Sequence, residues 1–404
     1  MIQVSKDENI DKNFLLKEIS KGRAIIMKRK NFKAIGIGSP FRTKINVNIG
    51  TSSSIINLDN EIEKVKIAHK YGADTLSDLS MGGDIDFIRK KMLEHSIIPI
   101  TTVPIYQSIV DANSFLNLSE NCIFKTIEKQ IKDGISSLVI HAGFSLEDLI
   151  KMKGKRIMGM VSKGGSFTAS MMVSNSIENP FFRNFEYILE LMKERDIVLN
   201  LGNAMRTGCI HDKIDEFQIS EIMINSKLAK LANKNGVQVI LESLGGHINA
   251  KDLMEWTKIH KKMTQDRPLF VSGPLPTDFA LGYDHVAAAI GGAFASGFGA
   301  DYLCAITPAE HLCLPTVEDI KNGLIACRIA AHVGDSIKFG LNQLFNDDLE
   351  VSKARFLKAW KDQFAHCLDP DEPQKKHRVD EESCTMCGNY CALSLFKKIC
   401  QSDT

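Results

Sequence analysis

Near its end the chain reads SCTMCGNYC, which sets Cys384, Cys387 and Cys391 at CxxCxxxC spacing on one short loop. Three thiolates that close together can grip a single metal unit. If the unit is a [4Fe–4S] cluster, one iron is left without a protein ligand. S-adenosylmethionine is the natural occupant of that position. Its amino and carboxylate groups can chelate the open iron, and one electron from the cluster then cleaves a carbon–sulfur bond to release a 5′-deoxyadenosyl radical. The same spacing also suits a structural zinc site completed by Cys400 or His377, or thiols that hold no metal. Cys122, Cys209, Cys304, Cys313, Cys327 and Cys367 are scattered, and most of them read as small buried residues.

A second group of chemically capable residues follows a series of short apolar runs. It comprises Asp78, Tyr106, His141, Ser162 with Lys163, Asn203 with Arg206, Glu242 with His247, and Glu310 with His311. SKGGS (162–166) and MRTG (205–208) each join a cation to glycine, a composition that lets backbone N–H groups and a charge approach a phosphate. His247 and His311 follow the sixth and eighth runs. Across a closed barrel, two neutral imidazoles so placed can share one divalent metal with positions left open; the alternative is two independent histidines.

The elements that must carry these residues are the runs themselves: ADTLSDLS (73–80), IIPITTVPIY (97–106), SLVIHAG (137–143), RIMGMVSKGG (156–165), IVLNLG (197–202), VQVILES (237–243), PLFVSGP (268–274) and ADYLCAIT (300–307). Segments with helical spacing separate them. EIEKVKIAHKYG repeats Ile62, Val65 and Ala68 and stops at Gly72, while EYILELMKERD and SKLAKLANKNG lead into later runs. Eight strand–helix units predict an α/β fold, a (β/α)8 TIM barrel with catalytic groups at the C-terminal ends of its strands; an open doubly wound sheet is the alternative. The expected divisions are a small mixed N-terminal domain (1–72, closed by KINVNIGTSS), the barrel (73–340), and a C-terminal helical tail (341–404). In the tail, KARFLKAWKDQF (353–364) reads as one amphipathic helix and LDPDEPQKKHRVDEES (368–383) as a linker.

With 404 residues, 44% apolar and 25% charged, the composition excludes collagen-like, disordered and coiled-coil chains. Fifty Lys and Arg against forty-nine Asp and Glu leave a net charge of +1, so no global field favours nucleic acid or an anionic membrane. No apolar run reaches the roughly 18 residues that span a bilayer, and MIQVSKDENI lacks the apolar core of a secretory signal. A cytoplasmic protein with reduced thiols is expected.

Taken in order, KINVNIGTSS, GADTLSDLSMGGDID, TTVPIYQ, SKGGS, GCIHDKIDEFQ, GPLPTDFALGYDH, TPAEHLCLPTVEDI, RIAAHVGD, KARFLKAWKDQF and CTMCG resemble blocks of the phosphomethylpyrimidine synthase (ThiC) family, from about residue 35 to 395. The resemblance implies a barrel with an iron–sulfur tail and radical chemistry on 5-aminoimidazole ribonucleotide. It also implies an electron donor such as flavodoxin or ferredoxin, and a homodimer in which one subunit's tail serves the other's barrel. Whether a paralogous subunit takes part is open.

By position, Cys384, Cys387 and Cys391 resemble the cluster ligands, and His247 and His311 the ligands of a divalent metal, zinc or iron. The implied substrate positions are Asn48, Ser77, Tyr106, His141, Ser162, Lys163, Gly164, Asn203, Ala204, Met205, Arg206, Glu242 and Phe270.

Departures from the family pattern gather in that set. Ser77 replaces a usual methionine, Lys163 an arginine, Asn203 an aspartate and Phe270 a tyrosine. ESLGGHINA is one residue longer between Glu242 and His247, and the cysteine motif one residue shorter, than the family's usual blocks. Losing a guanidinium fork, a charge and a hydroxyl would reposition a reacting intermediate. The expected activity is therefore the sister reaction, 5-hydroxybenzimidazole synthesis for an anaerobic cobamide lower ligand. The alternative is hydroxymethylpyrimidine phosphate synthesis for thiamine. A zinc-dependent barrel hydrolase and a non-catalytic ribonucleotide sensor are competing readings.

Overall fold

The computed structural model describes residues 1–29, 32–377 and 384–401, with the side chains of Gln343, Cys400 and Gln401 outside the description. Contacts divide the chain into a unit ending at Lys338 and a second unit from Phe339.

In the first unit, β1 (Ala24–Met27) and β2 (Ile35–Gly38) pair as an antiparallel hairpin. β3 (Lys44–Ile49), β4 (Thr75–Asp78), β5 (Ile100–Thr102), β6 (Ser137–Ile140), β7 (Val198–Leu201), β8 (Val239–Glu242), β9 (Leu269–Val271) and β10 (Tyr302–Ala305) follow. These eight close into a parallel barrel in the order β10-β3-β4-β5-β6-β7-β8-β9. The expected (β/α)8 architecture is present, with one strand misidentified from the sequence.

RIMGMVSKGG (156–165) is not a strand. The N–H groups of Ile157 and Met158 donate to Asp212 at 2.8 and 3.1 Å instead of to a neighbouring strand. Their side chains are exposed, and Ser162 opens the helix Lys163–Asn175, its Oγ accepting from Gly165 N–H at 3.1 Å.

The missing strand is KINVNI, assigned from the sequence to the N-terminal domain. Its polar residues Asn46 and Asn48 face the barrel interior while Ile45, Val47 and Ile49 join the outer apolar layer. The strand therefore alternates where a wholly buried parallel strand reads as a continuous apolar run. The barrel begins at Lys44, not at residue 73, and the N-terminal part is correspondingly shorter.

Outward-facing Leu138, Ile140, Leu199, Leu201 and Leu241 pack against helix residues such as Ile127, Ile188 and Ala229. Inside, Val198, Ile240, Phe270, Tyr302 and Cys304 meet Ile25, Met27, Ile35 and Ile37 of the hairpin. Gln238, just before β8, exchanges hydrogen bonds with Ile26 N–H (2.7 Å) and Ile26 C=O (3.0 Å). The hairpin thus plugs the N-terminal mouth of the barrel, and chemistry is left to the C-terminal mouth.

In the second unit, KARFLKAWKDQF is divided between two helices, Asn346–Leu357 and Trp360–His366, because Lys358 caps the first at φ +57°. Part of the expected linker is the helix Asp371–Lys376, and residues 378–383 lie outside the described residues. Cys384, Cys387 and Cys391 precede the helix Ala392–Gln401.

Candidate active site at the mouth of the barrel

His141 directly follows β6 and is 4% exposed. Ser162 Oγ lies 3.3 Å from its Nε2, while its buried Nδ1 has no hydrogen-bond partner among the described residues. Burial, helped by the charge of Arg206, pulls the imidazole down to about 3, so it is neutral at working pH. Two glycines make room for the ring. A Cβ on Gly164 would lie 2.2 Å from His141 Cε1, and one on Gly202 would lie 2.8 Å from the ring. Lys163, first residue of the adjoining helix, holds its ammonium 5.4 Å from the Tyr106 ring centroid.

The loop after β7 hangs on the helix Glu216–Lys234. The buried Glu221 accepts from Ala204 N–H at 2.7 Å and Met205 N–H at 2.9 Å. In the amide orientation that satisfies its neighbours, Asn203 donates to Glu221 Oε2 (2.9 Å) and accepts from Leu244 N–H (3.2 Å). Burial pushes Glu221 up to about 8, against the hydrogen bonds it accepts. Arg206 Nη1 lies 3.6 Å from Glu242 Oε1, which also accepts from Ser272 Oγ at 2.6 Å. Burial raises the Glu242 carboxyl while Arg206 opposes it.

Ser77 and Asn48 meet through Asn46, which the sequence reading missed. Asn46 Oδ1 accepts from Ser77 Oγ (3.0 Å), Thr75 Oγ1 (2.9 Å) and Tyr302 OH (3.3 Å), while its Nδ2 donates to Asn48 (2.9 Å). Phe270 stacks on Tyr302 with centroids 4.1 Å apart, low in the barrel beside the hairpin. The period-two asparagines of KINVNI were the available signal for Asn46.

His247 and His311 come together with their Nε2 atoms 3.3 Å apart. Two imidazoles bound at about 2.1 Å in a tetrahedral shell would separate their nitrogens by about 3.4 Å, so the donor set fits a shared cation. The Nδ1 atoms face carboxylates: Asp278 at 2.6 Å from His247, and Asp284 at 3.7 Å from His311. The Asp278 carboxylate, at hydrogen-bond distance, directs the lone pair of His247 Nε2 toward a metal, while Asp284 lies beyond hydrogen-bond reach of His311. Among the described residues no third His, Cys, Asp or Glu completes a metal-ligating group, so the remaining positions would fall to other ligands.

In ESLGGH the chain turns through Leu244 at φ +53° and Gly246 at φ +78°. Thr207 holds the segment, donating its hydroxyl to His247 C=O at 2.6 Å and accepting His247 N–H on its own carbonyl at 3.2 Å. A cavity of about 340 Å3 opens at the ends of β3 and β10, bordered by Asn48, Lys64, Lys163, Ala305, Thr307 and Glu310.

The three motif cysteines belong to the second unit, where all are free thiols. Successive turns fold their loop, with Gly388 N–H donating to Cys384 C=O (3.2 Å) and Tyr390 N–H to Cys387 C=O (2.9 Å). A hydrogen bond from Ser394 N–H leads the effects that hold the Cys391 thiol below its usual range. Among the described residues no three His, Cys, Asp or Glu side chains are gathered closely enough to hold a metal, these cysteines included, so their cluster-binding role rests on their spacing in the sequence. His377 packs against Trp360 at 4.0 Å between ring centroids, and the Cys400 side chain lies outside the description.

Compared with known proteins, residues 1–398 match the Radical SAM ThiC family. Phosphomethylpyrimidine synthase of Pyrococcus furiosus is 42% identical, covering 99% of this chain and 95% of its own. That of Caldanaerobacter subterraneus is 40% identical over 99% and 95% of the two chains, and that of a Thermoanaerobacter species 42% identical over 97% and 93%.

Proposed function

Because the chain belongs to the radical SAM ThiC family, an enzyme family whose chemistry calls for a [4Fe–4S] cluster, S-adenosylmethionine and an electron donor, we propose that it is a phosphomethylpyrimidine synthase. On this reading it converts 5-aminoimidazole ribonucleotide to hydroxymethylpyrimidine phosphate for thiamine. The observation that carries the choice of product is the similarity along nearly the whole chain to enzymes of that name. Of Ser77, Lys163, Asn203 and Phe270, only Lys163 borders the cavity. Asn203 binds Glu221 and Leu244, Ser77 binds Asn46, and Phe270 stacks on Tyr302. The 5-hydroxybenzimidazole product expected from the sequence becomes the second reading.

When bound, the cluster supplies the electron that cleaves S-adenosylmethionine. Cys384, Cys387 and Cys391 would hold it, and His247 with His311 would hold a divalent metal, zinc or iron. The chain's own part is positioning: the helix N-terminus at Ser162–Gly164 and the Arg206 guanidinium suit a phosphate, and neutral His141 offers a hydrogen bond rather than a charge. A flavodoxin or ferredoxin as donor, a cytoplasmic setting and a homodimer complete the proposal. No helix among the described residues is long and apolar enough to cross a membrane.

The test is the mass of the product formed from the ribonucleotide by the anaerobically reconstituted enzyme with S-adenosylmethionine and reductant. Hydroxymethylpyrimidine phosphate is expected. 5-Hydroxybenzimidazole as the main product would overturn the reading.

A further inference from the structure

Asp278 follows β9 and uses its two carboxylate oxygens on different parts of the site. Oδ1 lies 2.6 Å from His247 Nδ1, and Oδ2 accepts from Ile210 N–H at 2.9 Å. Ile210 belongs to the stretch after β7 that also carries Arg206. Two hydrogen bonds between Thr207 and the His247 main chain run alongside. Gly246 lets the two segments approach, since a Cβ there would lie 2.5 Å from Thr207 O and 3.3 Å from Arg206 Cδ. Thr207 thus fixes the main chain of His247, and the Asp278 carboxylate fixes its ring.

A carboxylate accepts and cannot donate, so it meets a proton on Nδ1 and leaves the Nε2 lone pair bare. Because Ile210 N–H steadies the same carboxylate, the orientation of the ring and the position of the loop depend on each other. With a cation on Nε2, Nδ1–H is a stronger donor, and the carboxylate it engages is held more firmly beside Ile210. Linkage makes that dependence mutual.

We propose that Asp278 is a positioning residue that joins the metal histidine to the Arg206 loop, so that filling the cation position firms the segment from Thr207 to Asp212. The inference rests on the proposed function for the divalent metal at His247 and His311, and it goes beyond that reading by tying the metal to the loop whose guanidinium suits the phosphate.

Zinc is the probe. It is titrated into the full chain in competition with a chelator, and His311→Ala reports the zinc that binds elsewhere, the motif cysteines included. Backbone hydrogen exchange of residues 207–212 is followed by mass spectrometry with and without zinc. In wild type, zinc should slow exchange of this segment at least about threefold. Asp278→Ala should bind zinc in the barrel at least about tenfold more weakly and, at saturating zinc, lose the slowing. A carboxylate that only braced the loop would leave zinc affinity unchanged and speed exchange equally with and without the metal. The inference is overturned, and the proposed function left standing, if wild type binds zinc in the barrel without slower exchange. The same holds if Asp278→Ala keeps the slowing or keeps its zinc affinity within about twofold. Wild-type protein that binds no more zinc than His311→Ala would overturn both the inference and the proposed metal site. Should Asp278→Ala fail to fold, Asp278→Asn takes its place, because its amide offers a single oxygen to two donors. Loss of the zinc-dependent slowing in that variant supports the link, and its retention rejects it.

Discussion

Asn203 uses both ends of its amide inside the protein. The side chain ties the β7 loop to Glu221 and to the strained Leu244 turn, so its effect on substrate passes through the loop that carries Arg206. Asn203→Asp would place a second carboxyl beside Glu221, which burial already pushes up to about 8. Two carboxyls at hydrogen-bond distance share one proton readily but resist ionising together. The variant should therefore hold the loop at acidic and neutral pH and release it as the pair loses its last proton. The expected result is a KM for the ribonucleotide that climbs with pH more steeply than in wild type, with a smaller change in kcat. Parallel KM profiles would show that the two side chains do not act together. Asp278 and Asp284 teach a related lesson: both stood in the quoted GPLPTDFALGYDH block, but only the fold reveals that they face His247 and His311.

Among the elements, the helix Lys163–Asn175 is the clearest case of a motif whose chemistry was legible and whose structure was not. SKGGS was read as a strand end with phosphate-binding character. It is instead a helix start, where the first N–H groups lack intrahelical partners and face outward along the axis. Its glycines have a second duty, since Gly164 lets the helix approach the His141 ring. Gly164→Ala should leave helix propensity intact or better while forcing its Cβ against the imidazole. The predicted cost is about 1–3 kcal/mol of stability, read by urea denaturation, together with at least a tenfold loss of ribonucleotide affinity. A variant that binds as tightly as wild type would mean that the ring position is not critical. β3 was missed for the converse reason. Its inward face carries the polar Asn46 and Asn48, so it lacks a continuous apolar run.

Over the whole molecule, buried carboxylates fasten the barrel where β3, β9 and β10 begin. Asp301 accepts from Lys261 Nζ (2.7 Å), Lys338 Nζ (3.3 Å) and Leu269 N–H (2.9 Å), and Asp74 joins Arg42 to Ile45 N–H. Burial disfavours ionisation of both, but the neighbouring cations outweigh it and hold both carboxyls below the usual range. A carboxyl depressed in the folded state adds stability above its unfolded pKa of about 3.9, and that stability is lost as pH falls toward the folded value. Thermal unfolding should therefore change little from pH 7 to about 5 on account of these groups and drop steeply below about 4. Asp301→Asn, which leaves two lysines without their carboxylate, should cost about 3–5 kcal/mol at pH 7 and flatten the acid limb. An acid limb as steep as that of wild type would exclude Asp301 as a main contributor. At this scale the amino-acid sequence by itself determined the barrel class, the helical tail, the cysteine motif and the family resemblance. Those rest on local spacing and residue type, which survive without coordinates. Only the tertiary structure decided which strand closes the barrel, that the Nε2 atoms of His247 and His311 lie 3.3 Å apart, and that Ser77, Asn203 and Phe270 are engaged by other residues of the barrel. Each of these depends on contacts between residues distant along the chain, and barrel closure, not sequence spacing, brings them within hydrogen-bond reach.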